Sequence, residues 1–188
     1  MRTATAGLPI VLLLVSISPA HAQDPPVQNA VQKKMAAGAS VGVFFPQGDA
    51  DESAETSPGV RAQFVYWVHP MVGIVACFDW IFVSEKDGVS DVTYYDISAG
   101  ARLTTPGVAK IKPFGEVLIG RHSLSVDAND FSEADIGFRL GGGGTYDLGD
   151  SLQGIAEISY STVDIDSGFG FSLDIEAFII EVGALARF

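Results

Sequence analysis

The chain has few positively charged residues and a single cysteine. Its 188 residues include 11 Lys or Arg against 23 Asp or Glu, which gives a formal net charge of -12 at pH 7. So acidic a chain is a poor partner for nucleic acid, because binding to phosphates depends on Lys and Arg. Cys77 has no second cysteine with which to form a disulfide, and we interpret it as a small packing residue.

Motifs that would hold a cofactor or a metal ion are also missing. The four glycines at 141–144 lack the spacing of a phosphate-binding loop, and they open no helix. The acidic stretches at 49–52 and 164–166 lack the spacing of a calcium-binding loop. We therefore expect no cofactor, no metal site and no nucleic-acid partner.

The first 22 residues are typical of a secretory signal peptide. Arg2 gives a positive start, residues 8–17 form an apolar run, and Ala20-His21-Ala22 matches a cleavage site. The apolar run is too short to cross a bilayer as a helix, which takes about 20 residues. Cleavage before residue 23 would leave 10 basic and 23 acidic residues, a net charge of -13. Residues 23–37 are polar, and we interpret them as an N-terminal leader.

Helical periodicity is absent over any long window. From residue 38 onward, segments of alternating polarity are separated by clusters of Gly, Pro, Asp and Ser, which is typical of strands joined by turns. The pattern predicts an all-β protein with strands near residues 38–46, 60–68, 71–83, 91–103, 110–122, 134–145, 151–162 and 177–188.

The last predicted strand has one wholly apolar face. Successive side chains of a strand point to opposite sides of the sheet. On this strand the apolar face consists of Phe178, Ile180, Val182, Ala184, Ala186 and Phe188, and the other face carries Glu181 and Arg187. For strands one, two and five, the alternation does not decide which face points inward.

Alternation alone does not separate a membrane barrel from a soluble, lipocalin-like barrel. Both have strands that alternate with a period of two, but the apolar face points outward in the membrane barrel and inward in the soluble one. The strands nearly all reach the length of about 9 to 11 tilted residues that crosses the hydrocarbon. Counting Asp91, Asp135 and Glu176, the long connections after the odd-numbered strands hold 15 of the 23 acidic residues. The remaining connections are short, and this asymmetry is typical of membrane barrels.

Residues 64–83 are nearly all apolar, so a transmembrane helix is an alternative for this stretch. His69-Pro70 and Asp79 disfavour a helix within a bilayer, and the β-branched and aromatic content favours strands. We predict a hairpin that turns at His69-Pro70, with Cys77 and Asp79 facing inward. Six side chains would then face lipid: Val72, Ile74, Ala76, Phe78, Trp80 and Phe82.

Four features together resemble the small OmpA-like outer-membrane proteins of the eight-stranded β-barrel domain family. They are the KPFGEVLIG stretch at 112–120, the GGGGTYDLGDSLQGIAEISYS run at 141–161, the signal peptide and the C-terminal Phe188. The resemblance implies an eight-stranded antiparallel up-and-down transmembrane β-barrel over residues 38–188. It also implies the outer membrane of a Gram-negative bacterium, with the N-terminus in the periplasm.

In this family the terminal aromatic residue is thought to be recognised during assembly. The resemblance therefore implies that Phe188, together with Phe178, serves as an assembly signal and as part of an aromatic girdle. The implied partners are outer-membrane lipid, lipopolysaccharide and the barrel-assembly machinery.

Apolar faces directed at lipid would leave charged side chains in a narrow lumen, where they must be paired. The predicted interior network consists of Asp79, Asp96, Arg102, Glu116, Arg139, Glu157 and Glu181. We expect it to be centred on Arg139. Because the interior of an eight-stranded barrel is just wide enough for side chains to fill, we expect no open pore.

Three functions follow from these patterns. The first is a non-enzymatic barrel that supports the envelope or presents acidic loops to other surfaces. A soluble carrier of a small hydrophobic ligand would instead have its apolar faces inward. A lipid A-modifying enzyme would need a histidine near the lipid face or outer rim, for which His122, beside Ser123 and Ser125, is the candidate. The deacylase-type spacing places a histidine and a serine two residues apart on one face of a strand. This spacing is absent at His122, because position 124 is leucine.

Overall fold

The computed structural model describes residues 34–48, 54–84, 91–105, 110–126, 131–166 and 172–188. These residues form eight strands: β1 (Met35–Gln47), β2 (Ser57–His69), β3 (Val72–Ser84), β4 (Asp91–Thr104), β5 (Ile111–Val126), β6 (Phe131–Asp147), β7 (Leu152–Asp166) and β8 (Ser172–Arg187). The prediction of an all-β chain with eight strands is confirmed.

Each strand pairs antiparallel with the next along the chain, and β8 pairs with β1 to close a barrel. Paired residues traced from Ala37 around all eight strands return to β1 at Gln47, ten residues further along. Such a stagger accompanies the tilt of the strands about the barrel axis. At the seam, Met35 and Phe188 exchange backbone hydrogen bonds of 3.2 and 2.9 Å.

The strand ends differ from the predicted ones by a few residues. β1 begins at Met35, so the barrel starts three residues before the predicted boundary at 38. Five other strands also extend by three to five residues into the segments predicted as long loops: β2, β5, β6, β7 and β8. Polar residues at a barrel rim continue the backbone hydrogen bonding between strands, but they lack the alternation of apolar residues from which a strand is predicted. The predicted signal peptide over 1–22, and the leader as far as residue 33, lie outside the described residues.

The apolar faces point outward. On β8, Phe178, Ile180 and Val182 are 41, 48 and 56% exposed, whereas Ile179 and Glu181 between them are buried. β4, β6 and β7 show the same split, and so do the strands whose sidedness the sequence left open. On β5, for example, Glu116, Leu118 and His122 are buried while Val117 and Ile119 are exposed. The soluble-carrier alternative is therefore wrong, because it needs the apolar faces inside.

The apolar stretch at 64–83 forms the predicted hairpin of β2 and β3, which turns at Pro70 and Met71, one residue after the predicted His69-Pro70. Trp80 and Phe82 point outward, and Cys77 and Asp79 are buried inside. Among the described residues, none belongs to a helix that is long and apolar enough to cross a membrane.

Antiparallel pairing gives the barrel two different rims. The connections after β1, β3, β5 and β7 all leave one rim, which we call the loop side. The short turns after β2, β4 and β6 leave the other rim, the turn side, where β1 begins and β8 ends.

Two apolar clusters occupy the lumen. The loop-side cluster consists of Phe44, Ile81, Tyr94, Val163, Ile175, Ala177 and Ile179. The turn-side cluster consists of Ala36, Val65, Val75, Cys77, Phe114, Leu118, Ile155 and Leu185.

Candidate functional site

Charged side chains fill the lumen between the two apolar clusters. Along β8, for example, the inward side chains run from Ile179 of the loop-side cluster through Glu181 to Leu185 of the turn-side cluster. We call these charged residues the lumenal cluster. It comprises Arg61, Asp79, Asp96, Arg102, Glu116, Arg139, Glu157 and Glu181, each at most 5% exposed. It contains all seven residues of the predicted network, together with Arg61.

Arg61 is the centre of the cluster. Its Nε lies 2.7 Å from Asp79 Oδ1, and its Nη1 lies 2.9 Å from Glu157 Oε1 and 2.8 Å from Glu181 Oε2. One guanidinium on β2 therefore holds carboxylates from β3, β7 and β8. Ionised groups removed from water need such partners, because an unpaired buried charge is strongly unfavourable.

Arg102 forms a second group with Glu116. The Arg102 Nη2 and Glu116 Oε2 atoms are 2.6 Å apart, and Nη2 also donates to Gln63 Oε1 at 3.0 Å. The guanidinium carbon lies 4.0 Å from the ring centroid of Phe114, a cation–π contact that joins the charges to the turn-side cluster.

The expectation that Arg139 is the centre is wrong. Its Nη1 lies 2.9 Å from Asp79 Oδ2, and its Nη2 lies 3.2 Å from Asp96 Oδ2, so Arg139 reaches across the lumen from β6 to β3 and β4. Leu118 and Ser161 are its register partners on β5 and β7. The carboxylates of β5 and β7 that were expected to pair with it therefore lie at another level of the barrel.

The sequence reasoning missed Arg61. The signal was present, because Arg61 alternates with Val60, Ala62 and Phe64 in the same way that the charged residues of other strands alternate with apolar ones. The sidedness of strand two could not be decided, however, and Arg61 could equally have been a rim residue.

His122 faces the lumen. Its side chain is buried, and Nδ1 is hydrogen-bonded to the hydroxyl of Tyr94. Nε2 lies 3.8 Å from Asp96 Oδ1, which is too far for a hydrogen bond. The enzyme alternative needed a histidine at the lipid face or outer rim, and His122 does not meet that requirement. The other histidine in the described part of the chain, His69, lies exposed beside the β2–β3 turn.

Among the described residues, no group of three His, Cys, Asp or Glu side chains is arranged to hold a metal ion. The charged groups of the lumenal cluster are carboxylates and guanidiniums.

A smaller polar group surrounds Asp147, where β6 ends at the turn side. Its carboxylate lies 3.0 Å from Lys112 Nζ and 3.1 Å from Arg187 Nη1, and it accepts a hydrogen bond of 2.8 Å from Gln153. Partial burial favours the neutral acid. The hydrogen bonds from Gln153 and Lys112 and the charges of Lys112 and Arg187 outweigh that effect, and they hold the pKa of Asp147 below its ordinary value.

Phe178 and Phe188 lie on the outward face of β8, and Phe188 is 55% exposed at the turn-side rim. The Phe178 ring packs against Tyr160 with a centroid distance of 5.2 Å. This placement suits a girdle of aromatic residues at the membrane interface. Their role in assembly stays a prediction.

A closed antiparallel barrel with an apolar outer surface and with its charges sealed inside is a transmembrane β-barrel. The chain belongs to the outer membrane protein beta-barrel domain family, whose model matches residues 10–188. Membership places the protein in the outer membrane of a Gram-negative bacterium. No curated protein sequence is significantly similar to the chain.

Several solved structures share the fold. Neisserial surface protein A is 13% identical, with a TM-score of 0.71, over 82% of this chain and 97% of its own. OprG from Pseudomonas aeruginosa is 10% identical, with a TM-score of 0.56, over 82% and 95% of the two chains. AlkL is 18% identical, with a TM-score of 0.54, over 89% and 96%. Identities this low establish similarity of fold alone.

Proposed function

We propose that the protein is a non-enzymatic outer-membrane barrel with a closed lumen, which supports the envelope and presents acidic loops at the cell surface. The observation that carries this proposal is the layering of the lumen. Buried Phe44 and Tyr94 lie on the loop side of the lumenal cluster, and Phe114 and Leu185 lie on its turn side. A continuous water-filled path would have to cross both apolar layers.

The proposed orientation puts the turn side and the N-terminus in the periplasm. Outer-membrane barrels have short periplasmic turns and longer extracellular loops, and the described strand ends fit that arrangement. The acidic connections would then lie among the phosphates of lipopolysaccharide. Because both carry negative charge, divalent cations would bridge them, as carboxylate oxygens are suitable ligands for Ca²⁺ and Mg²⁺.

Conductance in a planar lipid bilayer tests the closed lumen. We expect no steady conductance from the folded wild type, with folding checked by a shift in gel migration on boiling. Replacing Phe44 and Phe114 together by serine opens space in both apolar layers, so this variant should conduct if it keeps the same shift. Steady conductance from the wild type itself would contradict the proposal.

Cysteine labelling tests the orientation. Two variants are made in a Cys77→Ser background: Asp51→Cys on a long connection and Asp150→Cys in a short turn. Whole cells that carry each variant are treated with a membrane-impermeant maleimide. Only the cysteine at position 51 should react in intact cells, and both should react after lysis. Labelling at position 150 alone in intact cells would show the reverse orientation.

A further inference from the structure

Carboxylates outnumber guanidiniums in the lumenal cluster. Five carboxylates (Asp79, Asp96, Glu116, Glu157 and Glu181) face three guanidiniums (Arg61, Arg102 and Arg139), and all are buried. Full ionisation would leave two negative charges uncompensated inside the barrel. A buried charge without a partner is far less favourable than its neutral form, so the excess calls for two positive charges.

Four of the five carboxyl groups form two cross-strand pairs. Asp79 on β3 is the register partner of Asp96 on β4, and Glu157 on β7 is the register partner of Glu181 on β8. All four side chains point inward. Directly opposite side chains have Cβ atoms about 4.5 to 5.5 Å apart, and like charges in such positions repel. The lumen therefore holds two pairs of acids, each in a position that disfavours double ionisation.

Each acid pair shares a guanidinium, and Arg61 joins the two pairs because it also contacts Asp79, at 2.7 Å. Arg139 contacts both Asp79 and Asp96, at 2.9 and 3.2 Å. Arg61 contacts both Glu157 and Glu181, at 2.9 and 2.8 Å. Glu116 pairs most closely with Arg102, at 2.6 Å, while the contacts from Glu116 to Arg61 and from Arg102 to Glu157 are longer, at 3.9 and 3.6 Å. One proton on each acid pair would therefore bring the net charge of the lumenal cluster to zero.

Asp96 is completely buried, and its Oδ2 lies 3.2 Å from Arg139 Nη2, on a guanidinium that Asp79 also contacts. A proton shared between Asp79 and Asp96 would reduce the negative charge at this buried position.

From these observations we propose that the folded lumen binds two protons at neutral pH, one shared by Asp79 and Asp96 and one shared by Glu157 and Glu181. The result is an electrically neutral plug. This inference depends only on the lumenal geometry, and it stands whether or not the loops contact another surface.

The other titratable groups that face the cluster do not supply the missing charge. His122 is buried and bonded at Nδ1 to Tyr94, and its Nε2 lies 3.8 Å from Asp96 Oδ1, too far for a hydrogen bond that would stabilise an imidazolium. The Cys77 thiol and the Tyr94 hydroxyl also point inward, and both groups are ordinarily neutral at pH 7.

Proton uptake during refolding tests the proposal. Protein purified from membranes is unfolded in urea at pH 7 and refolded into zwitterionic micelles in weakly buffered solution with a pH indicator. Unfolded carboxylates are ionised at this pH, so we expect uptake of about two protons per chain. No uptake, or refolding that depends on Na⁺ or K⁺ without uptake, would overturn the proposal.

Matched variants assign each proton. Glu181→Gln should take up one proton fewer than the wild type, and so should Asp96→Asn, while the double variant should take up none. Asp150→Asn at the exposed β6–β7 turn is the control and should leave the uptake at two. His122→Gln should also leave it at two, and a loss of one proton in this variant would assign the charge to the imidazole instead.

A measurement on the wild type does not depend on the variants folding. The folded state binds two more protons than the unfolded state, so stability must fall as the pH rises. With two protons, the equilibrium constant for folding should fall about 100-fold for each unit of pH above neutrality. This slope should hold until the folded protein releases one of the protons or the barrel unfolds. A constant that does not change between pH 6 and pH 8 would refute proton binding.

Discussion

Arg102 on β4 lies directly opposite Glu116 on β5, and the Arg102 Nη2 and Glu116 Oε2 atoms are 2.6 Å apart. Arg61 and Asp79 repeat this arrangement on β2 and β3, with 2.7 Å between Nε and Oδ1. Strand register thus creates these two ion pairs between neighbouring strands. The contacts of Arg61 with Glu157 and Glu181, in contrast, cross the lumen. The lumenal cluster links every strand except β1.

Removing Arg61 should destabilise the barrel more than removing any other arginine. Arg61→Ala leaves Asp79, Glu157 and Glu181 without their shared guanidinium, and breaking a buried ion pair in this way costs about 3 to 5 kcal/mol. Urea unfolding in micelles measures the change. Arg121→Ala, at an exposed position on the outer face of β5, is the control and should change the free energy of unfolding by less than about 0.5 kcal/mol. Equal losses in the two variants would show that the cluster does not stabilise the fold.

The sequence predicted the architecture because alternation is a local property. On β3 and β8, uninterrupted apolar faces separated the two sides of each strand, and the asymmetry of the connections then indicated that residues such as Trp80 and Val182 face lipid. The partners of Arg139 were not readable, because they depend on the stagger of eight strands around a closed barrel, which no single strand encodes. Arg61 was missed for a related reason, since the inward face of β2 mixes Arg61 and Gln63 with Val65.

Two adjacent glycines of β6 should respond differently to the same substitution. A Cβ at Gly143, which faces the lumen, would lie 2.1 Å from the carbonyl oxygen of Ala156, whereas a Cβ at Gly142 would have no neighbour closer than 3.6 Å. Gly143→Ala should therefore lower the urea midpoint and the refolding yield, because backbone must move. Gly142→Ala should match the wild type. If both variants refold equally well, the close approach of β6 and β7 is not required.

An arginine on the outer surface should be harmful only within the bilayer. Leu140 is 63% exposed in the middle of β6, and Leu148 is 57% exposed at the β6–β7 turn. A lipid-facing arginine near the bilayer midplane costs about 2 to 4 kcal/mol, and the cost falls toward zero at the interface. Leu140→Arg should therefore reduce stability in lipid vesicles, with little effect from Leu148→Arg. A similar small effect from both would mean that the centre of β6 does not contact lipid.

The Asp147 group should stabilise the barrel at neutral pH and lose its effect in acid. The pKa of Asp147 is lowered in the folded state, so its contribution is complete above the ordinary aspartate pKa of about 3.9 and disappears as the pH falls through the lower folded value. At pH 7, Asp147→Asn should cost less than about 1 kcal/mol, because the group is partly exposed. The difference from the wild type should vanish at the lowest pH at which the barrel remains folded. Asp150→Asn should show no such pH-dependent difference.

Phe188 should matter for assembly in cells and much less for folding in isolation. Its side chain points outward from the barrel, so Phe188→Ser removes no lumenal contact. The backbone hydrogen bonds to Met35 remain available in this variant. If the terminal aromatic is an assembly signal, the variant should be depleted from the outer-membrane fraction. It should still refold into micelles with nearly the yield of the wild type.

Leu148→Ser is the matched control for Phe188, because Leu148 is equally exposed at the same rim, at 57% against 55%. It removes a comparable apolar contact with lipid without altering the last strand. Equal depletion of both variants in cells would attribute the effect to lost lipid contact, and a parallel loss of refolding yield would attribute it to stability. Only depletion that is confined to Phe188→Ser and absent from refolding in micelles supports recognition of the terminal residue by assembly machinery.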